Sequence, residues 1–220
     1  VKLAVFNGSP RKLGSNSKIL MDHFLEGYAQ VSDIPVPVHY IADRDQRDIQ
    51  IKTFQEAEIV LFIFPLYTDC MPGVVKEFLE DVFALKNSAR KKIGFLVQSG
   101  FPEALHSTFV ERYLKKFSSR MNYEYLGTVI RGGVEGIQIK PFWMKRNLFR
   151  QFKNLGKSFA EKHSFSPLIK RKLRTPYRLS PLRKLLFRLM SKTGLINFYW
   201  DTHLKQNGAY KKRFDKPFAG

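Results

Sequence analysis

Cysteine is nearly absent: Cys70 is the only one among 220 residues. A single thiol cannot close an internal disulfide, complete a four-cysteine zinc site or hold an iron–sulfur cluster by itself, so a reducing cytoplasm is the expected home. Long apolar runs are missing as well. The longest, Ile59 to Leu66, falls far short of the roughly 18–20 residues of a membrane-spanning helix and contains Pro65. The five histidines lie far apart without metal-ligand spacing, and no metal site is expected. The chain opens on the strand-like Lys2-Leu3-Ala4-Val5-Phe6, and no signal or transit segment is expected. Acidic residues are scarce in one region only. Residues 140–220 hold 21 Lys/Arg against Glu161, Asp201 and Asp215, whereas residues 1–139 hold 17 Lys/Arg against 16 Asp/Glu. Nearly all of the net charge of +19 therefore belongs to the last third, and the chemistry is expected in the nearly neutral part.

What is present is a large apolar inventory, with 44% hydrophobic residues and twenty Phe, enough for a sizeable core. Strand-like segments recur at 2–6, 36–41, 58–64, 92–98 and 123–130. The third is almost solid hydrophobe from Ile59 to Phe64, as in a parallel strand covered on both faces. Between them the period changes to that of a helix. Ile19, Leu20, His23, Phe24 and Tyr28 follow Ser15 and Asn16 as caps; Val74 to Phe83, Leu105 to Phe117 and Leu148 to Phe159 give further stripes, and 51–57 gives a weak one. His23, on an apolar stripe, reads as core. Alternating strands and helices predict an α/β fold with a doubly wound, five-stranded parallel sheet in the order 2-1-3-4-5. Ligands of such sheets sit beyond the carboxyl ends of the strands at the switch point, here between the first and third strands. That brings the loops Asn7–Ser17 and Pro65–Pro72 together.

The first loop, N-G-S-P-R-K-L-G-S-N-S from Asn7 to Ser17, joins a strand to a helix. Gly8 and Gly14 allow a tight path, Ser9, Ser15 and Ser17 offer hydroxyls, Asn16 an amide and Arg11 a charge-assisted contact. The helix N-terminus adds free N–H groups, and together these suit one phosphate. A polar, Ser-capped turn is the plainer reading. The loop is neither a Walker A sequence nor a G-x-G-x-x-G fingerprint. The second loop, from Pro65 to Gly73, is stiffened by Pro65 and Pro72 and carries Tyr67, suiting a planar ring beside that phosphate; local packing of Tyr67 is the alternative.

The pair of motifs, N-G-S-P-R followed by S-N-S and then P-L-Y-x-x-x-M-P-G-x-x-K-x-F-x-E, resembles the NAD(P)H-dependent FMN reductase branch of the flavodoxin-like superfamily, over residues 1 to about 160. The resemblance implies that Ser9, Arg11, Ser15, Asn16 and Ser17 hold the FMN phosphate. It implies that Pro65, Leu66, Tyr67 and Met71 border the isoalloxazine, and that the loop containing Ser99, Gly100 and Phe101 closes over the ring's other side. FMN would then be the cofactor and NADH or NADPH the transient donor. A small acceptor (a quinone, a free flavin, a nitro or azo aromatic) would be reduced by ping-pong hydride transfer, in a homodimer. The iron–sulfur variant of that family is excluded by the lone Cys70, which reads as a loop filler or a redox-sensitive thiol. Flavin carries the chemistry, and no catalytic side chain is assigned; His106 is either near the site or an ordinary half-exposed residue. Gly132–Gly136 either shapes a substrate mouth or simply connects. The alternative to an enzyme is a flavodoxin-like electron carrier or FMN-binding module without nicotinamide chemistry.

Residues 1–163 are thus expected to form the FMN-binding domain and residues 164–220 a basic, partly helical extension packed on it or on a partner subunit. Leu182, Leu185, Leu186, Leu189 and Met190 recur at helical spacing with Arg183, Lys184, Arg188 and Lys192 on the other face, and Gly194 is expected to end that helix. Through 164–192 the extension could touch an anionic membrane peripherally, pack with its charges solvated, or steer an anionic donor. No nucleic-acid signature accompanies it, so no specific nucleic-acid partner is expected. The tail from Trp200 to Ala219 is expected to be ordered.

Overall fold

The solid apolar run becomes the centre of the sheet. In a computed structural model, which describes residues 2–85, 90–193 and 197–216, β1 (Leu3–Asn7), β2 (Val38–Tyr40), β3 (Ile59–Pro65), β4 (Lys92–Gln98) and β5 (Glu124–Arg131) form one parallel sheet. Its order is β2-β1-β3-β4-β5, as the sequence predicts. β2 is shorter than expected, three half-buried residues on an edge. The helices are α1 (Asn16–Tyr28), α2 (Arg47–Glu56), α3 (Gly73–Ala84), α4 (Thr108–Arg120), α5 (Phe142–Lys162), α6 (Pro167–Leu173), α7 (Pro181–Lys192) and α8 (Phe198–Gln206).

The alternation along β3 explains why its sequence shows no polar face. Val60, Phe62 and Phe64 face a core built with α2, α3 and α4, including Phe54, Phe78 and Leu114. Ile59, Leu61 and Ile63 face a second core built with α1, α5 and α6, including Phe24, Phe159 and Leu173. Each face is sealed by helices, so both sets of side chains must be apolar. α1 and α5 cross at two glycines. A Cβ on Gly27 would lie 1.8 Å from the Lys153 carbonyl oxygen, and one on Gly156 1.8 Å from that of Phe24.

Several stretches differ from expectation. α5 begins at Phe142, well before the apolar stripe at Leu148, because its first turn is largely exposed and carries no stripe. Phe109 and Tyr113, members of the α4 stripe, are exposed while Val110, Leu114 and Phe117 are buried. His23 is half-buried rather than core: its ring lies tilted against Phe149 with centroids 4.0 Å apart, and Nδ1 lies 3.2 Å from Glu26. α6 is a helix that the proline-punctuated sequence did not announce, with the Ser166 side chain at its N-cap and Pro167 in its first turn. Within the tail expected to be ordered, α8 runs from Phe198 to Gln206.

The chain divides into two compact units, Val1–Arg178 and Leu179–Gly220. Residues 164–178 thus fold with the first unit, Phe165 and Leu173 being buried in its core. The second unit contains α7, α8 and a short turn at Tyr210–Lys212 in which the Arg213 guanidinium lies 3.9 Å from the Tyr210 ring. Gly194 and residues 217–219 of the expected ordered tail lie outside the described residues.

Candidate functional site

The first loop leaves β1 through Asn7, whose Oδ1 accepts the Ser9 N–H at 2.9 Å. Gly8 donates its N–H to Ile63 O at 2.8 Å. A Cβ there would come within 2.2 Å of Val75 in α3, so only glycine fits at this crossing. Lys12, at φ 45°, turns the chain and pairs with Asp43. Ser15 then caps α1: its Oγ donates to Lys12 O at 2.6 Å and accepts the Lys18 N–H at 3.1 Å. Such a cap contributes about 1 kcal/mol, and it commits the Ser15 hydroxyl. Ser9, Ser15, Asn16 and Ser17 are buried, while Arg11 is exposed.

The second loop begins at Pro65, the end of β3, and Leu66 donates its N–H to Gln98 O at 2.7 Å. Tyr67 and Cys70 exchange both backbone hydrogen bonds, at 2.8 and 3.0 Å, around Thr68 and Asp69. Both central residues have positive φ, 48° and 60°, the geometry of a two-residue turn that glycine or asparagine enters more easily. This sharp turn raises Tyr67 to 44% exposure. Met71 points the other way and is buried with Val75 and Phe78 in the α3-side core. Cys70 is an exposed free thiol.

The third loop follows β4. Ser99 donates its N–H to Arg131 O at 2.9 Å, and its Oγ donates to Phe101 O at 3.2 Å. Phe101 is half exposed and stacks on His106, with centroids 4.4 Å apart. His106 stands in a short turn, Ala104–Ser107, with Nδ1 3.5 Å from Asp69 of the second loop and Nε2 3.6 Å from Glu103. The N–H groups of Ala104 and Leu105 donate to Pro176 O and Tyr177 O, so the chain after α6 braces this turn.

These loops meet at one cleft of about 270 Å³. Ser9, Arg11 and Asn16 line it from the first loop, Pro65, Leu66 and Tyr67 from the second, and Ser99 and Gly100 from the third. Ser15, Ser17, Met71 and Phe101 are not among its lining residues, although Ser17 Oγ accepts a 3.4 Å hydrogen bond from Gln98, which is. Gln98 and Glu135 complete the wall and were not foreseen as site residues. A polar residue ending the apolar β4 was the available signal for Gln98. The glycine-rich segment 132–136 does reach the cleft mouth: a Cβ on Gly100 would stand 3.0 Å from Glu135 Oε2.

Behind Glu135, the Gly133 N–H donates to Phe101 O at 2.8 Å, and Lys140 Nζ donates to Gly133 O at 3.4 Å. Burial, then the nearby Arg131, holds the Lys140 amine below its usual range, with Glu135 opposing. Burial lowers Arg131 likewise. Asn16 donates from Nδ2 to Val134 O at 3.3 Å. Gln138 donates from Nε2 to Gly14 O at 2.8 Å and to Asn16 Oδ1 at 3.2 Å. The segment after β5 therefore clamps the first loop, and no local sequence signal marks Gln138 for this role. Among the described residues, no group of three His, Cys, Asp or Glu side chains is arranged for a metal ion.

The arrangement offers a helix N-terminus and a guanidinium at one end and a flat proline–tyrosine wall at the other. A family model described as a flavodoxin-like fold matches residues 1–146. No curated protein matches. Among solved structures, the chain is similar to an FMN-dependent NADH-azoreductase from Bacillus anthracis in complex with FMN: 15% identity over 73% of this chain and 100% of that one, TM-score 0.53. It is also similar to an NADPH-quinone reductase from P. pentosaceus: 15% identity over 70% and 96%, TM-score 0.55. A third is an NAD(P)H:quinone oxidoreductase from Methanothermobacter marburgensis: 12% identity over 74% and 98%, TM-score 0.57. At these identities the likeness is one of fold.

Proposed function

Because the chain belongs to the flavodoxin-like family, we propose that it is an FMN-dependent oxidoreductase that uses NADH or NADPH to reduce a small acceptor such as a quinone, a free flavin or a nitro or azo aromatic. The observation that carries the reading is the meeting of the first two loops at one cleft, a phosphate-suited end beside a rigid aromatic wall. The solved relatives named for FMN, NADH and quinone chemistry support it.

The residues fit the cofactor. Asn7 Nδ2, at the start of the first loop, is buried without a hydrogen-bond partner among the described residues, a donor to spare beside an anion-suited turn. Ser9, Arg11 and Ser17 would hold the phosphate with the first-turn N–H groups of α1, which have no intrahelical acceptors. Ser15 and Asn16 would shape that turn, through the cap and the clamp to Val134. Pro65, Leu66 and Tyr67 would border the ring on one side, with Met71 behind them, and Ser99, Gly100 and Phe101 on the other. Bound there, FMN supplies two-electron redox chemistry between the nicotinamide and the acceptor. The protein's part is placement: the turn at Thr68–Asp69 fixes Tyr67, and the stacking of Phe101 on His106 would steady the third loop. No side chain is assigned as proton donor. The reading includes a homodimer, supported by the exposed Phe142 and Trp143 at the start of α5, and a cytoplasmic home.

The test is an absorption spectrum with anaerobic nicotinamide titration. Yellow protein that bleaches with two electrons on adding NADH or NADPH is expected. Failure to take up FMN overturns the reading, and a bound flavin that neither donor bleaches points to an electron carrier instead.

A further inference from the structure

No residue of the most basic stretch of the chain lines the cleft. From residue 162 to residue 200 there are ten Lys/Arg and no Asp or Glu. Within it, α7 has a Ser180 N-cap with Pro181 in its first turn, and none of its residues is buried. Leu182, Leu185, Leu186, Leu189 and Met190 recur at the spacing of a single helical face and are 47–66% exposed. Phe187, also exposed, is two positions past Leu185 and therefore on the opposite side of the helix, among the basic side chains. Arg183, Lys184, Arg188 and Lys192 occupy the remaining circumference, and Ser191 is the polar neighbour between them. At 1.5 Å per residue, these twelve residues make a rod about 18 Å long. That is too short and too charged to cross a bilayer, and no helix among the described residues is long and apolar enough to do so.

We propose that α7 is an interfacial helix that docks this protein on an anionic lipid surface, its leucine face entering the headgroup–acyl boundary and its Arg/Lys side chains lying in the phosphate layer. The chemistry of both faces selects this occupant. A membrane surface is the one partner that takes a strip of leucines and a row of cations at once, since its interior is apolar and its rim is negative. Nucleic acid would satisfy the cations and leave five aliphatic side chains in water. A second copy would cover the leucines but bring two acid-free cationic helices together, with nothing on α7 to neutralise either. Arg183, Lys184, Arg188 and Lys192, with no acid on the helix, suit attraction to anionic headgroups.

The experiment is flotation of the full-length protein with vesicles of phosphatidylcholine alone and of phosphatidylcholine with one third phosphatidylserine. Binding to the mixed vesicles is expected to exceed binding to the neutral ones at least about tenfold, and to weaken several-fold on moving from low to high salt. The double variant Leu185→Glu/Leu189→Glu is expected to lose at least about tenfold in partitioning. Its melting curve and flavin uptake should be unchanged, because α7 buries nothing and lines no part of the cleft. The double variant Arg183→Glu/Arg188→Glu should lose the preference for phosphatidylserine. The proposal is overturned if the mixed vesicles do not bind, or if the leucine variant binds them as the parent does. It is equally overturned if duplex DNA binds while the vesicles do not, or if the leucine variant only converts a dimer to a monomer without a change at the vesicle.

Discussion

Arg174 grips Glu111 through both guanidinium nitrogens, at 3.1 and 2.8 Å, joining the end of α6 to α4. A planar fork on a carboxylate fixes orientation as well as distance, so the basic stretch after α5 is built into the flavodoxin-like unit as far as Arg178. The turn at Ala104 and Leu105, which follows the third loop, takes its backbone acceptors from Pro176 and Tyr177. A chain ending at Arg178 is therefore expected to melt cooperatively and to take up FMN. A chain ending at His163 loses Phe165 and Leu173 from the core, each worth about 2–5 kcal/mol when removed from a packed interior. Against a typical total of roughly 5–15 kcal/mol, it is expected to show no cooperative melt. Circular dichroism of the two truncations decides where the domain ends.

The topology was legible because each sheet strand and most helices carry their own period. Ile59–Phe64 is apolar at every position since both its faces are sealed, and that alone places it centrally. The first two loops were legible because proline, glycine and serine have local reasons to be there. Other parts depend on distant partners. Whether Phe109 and Tyr113 are covered is decided by how far α4 is rotated on the sheet. α6 hides behind Pro167, which breaks a pattern in one reading and starts a helix in the other. Gln138 reaches the first loop only because the segment after β5 doubles back across the sheet's end, a path that no local spacing encodes.

The crossing of α1 and α5 gives a stability prediction. The atoms nearest an added Cβ at Gly156 are the Phe24 carbonyl, its oxygen at 1.8 Å and its carbon at 2.8 Å, with the Tyr28 nitrogen at 3.0 Å, all of it backbone. Neither can swing away as a side-chain tip can, so the helices must part. Gly156→Ala is expected to cost at least about 2 kcal/mol and to lower Tm by roughly 4–8 °C for a domain of this size. α1 also carries its N-terminus to the cleft, so FMN affinity should fall with it in a fluorescence titration.

The same two helices are joined at their surface. Lys153 and then His23 hold the Glu26 carboxyl below the usual carboxylate range. A carboxyl depressed in the folded state contributes stability above its unfolded value and loses it as pH falls through the folded one. Glu26→Gln is therefore expected to be less stable than the parent at pH 7. The two should converge as pH falls through the lowered folded-state value, where the parent's carboxyl also becomes neutral. The side chain is half exposed, so the difference at neutral pH should be only a few tenths of a kcal/mol, about what exposed pairs give. Urea denaturation at neutral and at acid pH reads it.

The clamp on the first loop separates a phosphate site from a merely polar turn. Gln138 gives its amide hydrogens to Gly14 O and Asn16 Oδ1, and its side chain is exposed. Gln138→Ala should leave Tm nearly unchanged while loosening the turn. If the turn feels about one hydrogen bond's worth of loss, roughly 0.5–1.5 kcal/mol, FMN binding weakens by about two- to tenfold. Riboflavin, which has no phosphate, should bind the variant and the parent alike. Gln138→Glu sharpens the contrast. Its carboxylate would repel Gly14 O and Asn16 Oδ1 and add negative charge beside the first loop, so under the phosphate reading FMN should weaken further than with alanine. If both ligands weaken together in both variants, the clamp supports the cleft as a whole and the first loop is no anion site.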